Sequence, residues 1–199
     1  SIPPEDFPLW RRDYQNGASV EALPLPPYRS HPNWTRGYYD AGAPFVSPPV
    51  VSGDTVAAAN EDRHVYGISR SGGNQKAKYT LQDAATTAMA IYDSRVYTVD
   101  ANGRVYEMRS NDELVWSQDT GLRSVGTIMV VGDRILVTGR VDDRPQLTML
   151  RRFDGEIIDT FTADGADFYL PAIGDQLIYL AGDQVWALDL FHERHEPED

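Results

Sequence analysis

Four segments of the chain run through the same series of features at nearly constant spacing, and this repeat limits the fold more than any other property. They are SGDTVAAANEDRHVYGISRSGG (52–73), YDSRVYTVDANGRVYEMRSND (92–112), VGDRILVTGRVDDRPQLTMLRRFDGE (131–156) and IGDQLIYLAGDQVWALDL (173–190). In each, a turn (Gly53-Asp54, Asp93-Ser94, Gly132-Asp133 or Gly174-Asp175) leads into an apolar strand. A second polar turn follows, then a strand of the type Val-Tyr-x-Ile, Val-Tyr-x-Met, Leu-Thr-x-Leu or Val-Trp-x-Leu. Successive first turns lie 40, 39 and 42 residues apart.

Another apolar run precedes each first turn, at 46–51, 87–92, 126–131 and 169–174, and an outer segment follows the second hairpin at 76–81, 114–119 and 157–162. Four strands in about 40 residues is the arithmetic of a β-propeller blade. The apolar period of two excludes stacked helix pairs, and a sandwich would not return at one fixed length. The chain therefore reads as all-β, a propeller of four four-stranded blades at about 46–85, 86–125, 126–168 and 169–190. The fourth unit stops after its third strand, and NWTRGYYDAG (33–42) supplies a candidate for the missing one, with Trp34 in the place of Trp116. A strand at 33–40 would then close the ring and remove its free edges.

Ten of the 13 prolines fall within residues 1–49. Proline fixes φ and removes a ladder donor, so residues 1–45 read as an extended proline-rich arm that includes the closing strand. Residues 191–199 form a short charged tail. The net charge of −12 disfavours nucleic acid and anionic membrane as partners. The chain has no cysteine, which excludes disulfides, thiolate metal sites and cysteine catalysis. No apolar run reaches the roughly 18 residues of a membrane span, and no signal peptide is visible; a mature secreted chain would look the same. Sixteen of the 18 cations are arginine, which suits a high-GC genome or a salt-adapted acidic surface.

The repeats resemble the PQQ-like, or BamB-type, β-propeller repeat, whose blades read approximately SPVV-x-DG-x-VYV-x-x-x-DG-x-LYALD-x-x-TG-x-x-x-W. The residues that carry the resemblance are SPPVVSGDTV (47–56), SRVYTVDANGRVYEM (94–108), DELVW (112–116) and GDQVWALDL (182–190), with FPLWRRDYQNG (7–17) similar to the leader of such proteins. Two departures stand out. The outer-strand tryptophan is kept at Trp116 and matched by Trp34, but Asp159 replaces it in the third unit, and four blades stand where the family usually has seven or eight. One chain closing on itself, two chains exchanging N-terminal strands into an eight-bladed homodimer, and a partial ring completed by another protein all remain open.

The resemblance implies a non-catalytic scaffold or protein-interaction subunit of a cell-envelope assembly. Such a subunit is periplasmic or extracellular, either free or anchored as a lipoprotein, and has other protein subunits as partners. Quinoprotein dehydrogenases look similar blade by blade, but they carry a vicinal cysteine pair and a calcium–PQQ pocket. With no cysteine here, no enzyme activity and no cofactor are expected. A carbohydrate- or ligand-binding propeller is the alternative.

Individual residues offer few chemical candidates. Asp100, Asn102 and Glu107 have oxygens for a cation, yet the twelve-residue calcium loop is absent, and Asn-Gly between alternating strands is a hairpin signal in which both residues tolerate positive φ. That stretch reads as a turn. His192 and His195 have the i, i+3 spacing of a metal pair but lie in the charged tail, so no metal site is assigned. His64 lies at a hairpin turn and His31 in the arm, without a recognisable constellation. Trp10, Arg11, Arg12, Tyr28, Arg29, Tyr38 and Tyr39 gather aromatic and arginine side chains in or near the arm, the chemistry that dominates protein interfaces. They are the expected partner-binding residues.

Overall fold

Short β-rich runs separated by tight polar turns can pair only with their sequence neighbours, and the chain does so in every described unit. The computed structural model describes residues 40–109, 113–174 and 176–189. These form fifteen strands in four antiparallel sheets, with no helix among them. The first sheet orders β1 (Val50–Ser52), β2 (Thr55–Ala59), β3 (His64–Ser69) and β4 (Gln75–Thr80). The second orders β5 (Ala85–Tyr92), β6 (Arg95–Asp100), β7 (Arg104–Arg109) and β8 (Leu114–Asp119). The third contains β9 (Arg123–Val131), β10 (Arg134–Val141), β11 (Arg144–Arg151) and β12 (Ile157–Thr162). The fourth has three described strands, β13 (Ala172–Gly174), β14 (Leu177–Ala181) and β15 (Val185–Asp189). The all-β blade architecture expected from the repeat is thus present. The closing strand lies outside the described residues except for Asp40, as do the rest of the arm and the tail.

Turn chemistry sets the registers. Tyr92 pairs with Arg95 across Asp93 and Ser94, both at positive φ (47° and 59°), and Val141 pairs with Arg144 across Asp142 and Asp143 (48° and 62°). Positive φ at both central residues matches the twist of the flanking strands. The Asp100–Gly103 turn is built differently from the expected Asn-Gly hairpin: only Gly103 has positive φ (79°), and its N–H donates to the Asp100 carbonyl at 3.0 Å. A turn followed by one left-handed glycine gives a three-residue loop, which allows Gly103 to approach Leu122 so closely that a Cβ would lie 2.2 Å from its carbonyl oxygen.

The sheets stack face on face. Alternation sends Met89, Ile91, Val96, Tyr106 and Met108 of the second sheet against Val50, Ala57, Ala59 and Val65 of the first. Ala88, Ala90, Tyr97, Val99 and Val105 leave on the opposite face and meet Ile128, Val130, Ile135, Val137 and Leu150 of the third. That sheet's other face, with Met129, Leu136, Leu147 and Met149, meets Ile178 and Leu180 of the fourth. Phe168 seals this last seam, its ring 5.4 Å from that of Trp186 and edge-on to it. Fully burying an aliphatic side chain contributes about 1.5–3 kcal/mol, and isolated hairpins are marginal, so the three seams rather than the single sheets stabilise the fold. In all three complete sheets the outer strand slips register at the equivalent step, between Gly67/Ile68, Glu107/Met108 and Met149/Leu150.

Candidate functional site

The acidic loop at 100–107 does not form a cation site. Asp100, 1% exposed, accepts the N–H groups of Asn102 and Arg104 at 3.0 Å each and the Tyr106 hydroxyl at 2.7 Å. These three bonds fasten the turn. Burial and that carboxylate together push the Tyr106 hydroxyl upward in pKa. Glu107 leaves β7 on the opposite face from Tyr106, so the two acids cannot converge on one ion. Among the described residues no group of three or more His, Asp or Glu side chains is arranged to hold a metal.

Glu107 is instead the centre of a polar lock at the second seam. Its side chain is fully buried and ion-paired to Arg95, whose pKa is raised because the hydrogen bond to the carboxylate outweighs burial. Its other oxygen accepts Trp116 Nε1–H at 2.9 Å. The same N–H lies 3.1 Å from the Arg152 carbonyl of the third sheet, so one indole bridges two blades. Gly155 makes this contact feasible: its φ is 77°, and a Cβ there would sit 2.4 Å from the indole ring. The Arg152 guanidinium lies 4.6 Å over the Tyr92 ring. Tyr97, across the pair from Glu107, has its hydroxyl pushed up to about 12, chiefly by burial, with Arg152 acting in the other direction. A buried charge held by donors from both flanking strands, one of which also reaches the next sheet, fastens the seam between the two blades.

A second cluster lies on the first sheet. His64 Nδ1 is 2.8 Å from Asp62 Oδ1, and the Tyr66 hydroxyl donates to Asp62 Oδ2 at 3.2 Å. Burial raises the Asp62 pKa, but the hydrogen bond and charge of His64 outweigh it and hold the carboxylate below its ordinary range. The Asp-x-His spacing around the turn is the signal for this pair, although alone it does not distinguish a fastened turn from a site. The His64 backbone N–H also donates to Asn60 Oδ1 at 3.3 Å, so the cluster fastens the turn that carries it.

Trp10, Arg11, Arg12, Tyr28, Arg29, Tyr38 and Tyr39, the expected partner-binding residues, lie outside the described residues, together with His31, Trp34, His192 and His195. The residues that sequence reasoning missed are Arg95 and Arg152. Their roles arise only once strands pair and blades stack.

Comparison with known proteins places this architecture. The sequence profile of the family described as outer membrane protein assembly factor BamB matches residues 7–165. No curated protein matches significantly by sequence. Among solved structures, BamB from Moraxella catarrhalis superposes with a TM-score of 0.65 at 15% identity, over 78% of this chain and 53% of that one. A quinohemoprotein alcohol dehydrogenase from Pseudomonas putida HK5 gives 0.59 at 15% identity, over 71% of this chain and 29% of that one. The computationally designed Ika4 protein gives 0.65 at 11% identity, over 76% of this chain and 96% of that one. This chain thus spans about half of the BamB structure and under a third of the dehydrogenase. With the profile matched from residue 7 to residue 165 and its blades superposing on BamB, the chain belongs to the BamB-type PQQ-repeat propeller family.

Proposed function

We propose that the chain is a non-catalytic scaffold, a protein-interaction subunit of a cell-envelope assembly on the periplasmic or extracellular side. The observation that carries this reading is the extent of the family match. It begins at residue 7 and so takes in Trp10, Arg11, Arg12, Tyr28, Arg29, Tyr38 and Tyr39 along with the blades. Aromatic and arginine side chains supply most interface hot-spot energy, and these are the residues assigned to docking. The strand at 33–40 completes the fourth sheet, from the same chain or by exchange with a second copy.

The described residues do not fit a calcium–quinone pocket. Asp100 and Glu107 are engaged on opposite faces, no three metal-ligating side chains converge among the described residues, and the chain has no cysteine. Immobilised chain exposed to envelope extract should retain a discrete protein, and Trp10→Ala with Arg11→Ala and Arg12→Ala should reduce that retention at least tenfold, on the order of two hot spots. Equal retention by the variant counts against the arm, and turnover of an alcohol on adding quinone and calcium counts against the scaffold.

A further inference from the structure

Three stretches of connecting chain meet at one side chain. Residues 81–84 lead from the first sheet to the second, residues 120–122 lead from the second to the third, and the 100–103 turn joins β6 to β7. Asn102, in that turn, is exposed yet tied through both its side chain and its backbone. Its Nδ2 donates to the Asp83 carboxylate, whose other oxygen accepts the Ala84 N–H at 2.7 Å. Its carbonyl accepts from the Arg123 guanidinium, which also donates to the Leu122 carbonyl at 2.9 Å. Its own N–H is the one held by Asp100 Oδ1. Gly103 is fixed as firmly. Its N–H goes to the Asp100 carbonyl, and its carbonyl accepts the Thr120 hydroxyl at 2.6 Å and the Thr120 N–H at 3.1 Å.

This clasp holds apart two groups that react with each other when free. A glycine after an asparagine has no Cβ to shield its amide nitrogen or to restrict its approach. The Gly103 nitrogen gives up its proton and attacks Asn102 Cγ. A new N–C bond forms, the Cγ–Nδ2 bond breaks, and Nδ2 leaves with the proton as ammonia. Water then opens the cyclic imide at either carbonyl, which yields aspartate or isoaspartate. The balance is amide plus water giving acid plus ammonia, with no change of oxidation state. In the folded chain the hydrogen on the attacking nitrogen is committed to Asp100, and the leaving group is committed to Asp83. Both bonds must break before the nitrogen can reach Cγ. A reaction that requires local opening proceeds at its intrinsic rate multiplied by the open fraction, when opening and closing are fast.

We propose that Asn102 is a self-modifying site, a one-way latch that Asp83 and Arg123 hold shut. Conversion replaces the amide donor facing Asp83 with a second carboxylate, so an attraction becomes a repulsion between like charges. Isoaspartate also lengthens the backbone of a loop so tight that a Cβ on Gly103 would lie 2.2 Å from the Leu122 carbonyl oxygen. Neither product can re-form the clasp, and the two connections lose the side chain that ties them together. Deamidation therefore records the time the junction spends open, and then keeps it open. The inference rests on residues 81–123 alone and is independent of the scaffold reading.

The test compares the full chain at neutral pH, folded and in guanidinium chloride, by peptide mass spectrometry after cleavage at arginine. The amide-to-acid mass gain is read in residues 96–104, which separates Asn102 from the chain's other Asn-Gly step, Asn16-Gly17. Conversion at Asn102 should be slower in the folded chain by about tenfold or more, and still measurable. Asp83→Ala should raise the folded rate about tenfold, the equivalent of one hydrogen bond to a charged group, and leave the unfolded rate unchanged. Asp83→Asn, which keeps an acceptor without the charge, should fall between the two. Asn102→Asp reproduces one product, and it should speed amide hydrogen exchange at residues 81–84 and 120–123. Parent-like protection in β10 and β11 identifies the variants that keep the fold. Equal rates in the folded and unfolded chain would overturn the latch, as would an Asp83→Ala rate equal to the parent's. So would no conversion of the folded chain once the unfolded chain is fully converted, or parent-like exchange at both connections in Asn102→Asp.

Discussion

The second and fourth blades carry the same hairpin in the same register, and they use it differently. Tyr97 is sealed between sheets while Tyr179 faces outward, and Glu107 is locked by Arg95 and Trp116 while the matching position holds Ala187. The local alternation that makes each strand is the same. What changes is the neighbouring sheet, so burial of a given position is a property of the stack and not of the strand that carries it. A charge is tolerated in the second blade because its donors come from β6 and β8, and the third sheet covers it.

The largest expected contrast comes from the indole that joins two blades. Trp116→Ala should lower stability by about 3–5 kcal/mol in chemical denaturation, because it empties the Gly155 seat and removes a donor from a buried carboxylate. A loss below about 1 kcal/mol would mean the seam does not depend on it. Tyr97→Ala should cost about 3 kcal/mol, whereas Tyr179→Ala should cost less than about 1. Equal costs would erase the distinction between the blades. Glu107→Ala should cost about 3 kcal/mol by leaving Arg95 without its partner. At high pH, Tyr97 has a folded pKa of about 12, above the ordinary value of 10, so its neutral form belongs to the folded state. Its contribution is complete below about pH 10 and is lost as pH rises towards 12, by about 2 kcal/mol, and Tyr97→Phe should flatten that part of the stability curve. Tyr106, shifted in the same direction, leaves a residual slope. The smallest effect is expected on the fourth blade, where Ala187→Glu should change stability by less than about 0.5 kcal/mol.

Much of the blade architecture was legible in the sequence because strand period and turn residues are local. Asp93-Ser94 and Gly132-Asp133 mark the hairpins, and Asp159 does occupy the register place of Trp116, opposite Met149 as Trp116 is opposite Glu107. The candidate site was less legible for a physical reason. Glu107 was visible as a carboxylate near a turn, but its meaning depends on the row Tyr97–Glu107–Trp116 and on Arg152 of another sheet, none of which follows from spacing along one strand. The turn itself shows the same limit: Asn-Gly signalled a hairpin, and the close approach to Leu122 selected the form in which glycine alone is left-handed.

The register slip shared by β4, β8 and β12 has a consequence at the rim of the molecule. A straight outer strand offers an unbroken ribbon of N–H and C=O groups on which any foreign strand can grow, which is the usual start of edge-to-edge aggregation. A bulge at the same step in every complete sheet bends that ribbon and breaks its hydrogen-bond rhythm. The rim is therefore a poor template for promiscuous β-addition. A partner that approaches from the side must recognise particular side chains, which leaves specificity, rather than mere stickiness, to govern assembly at that edge.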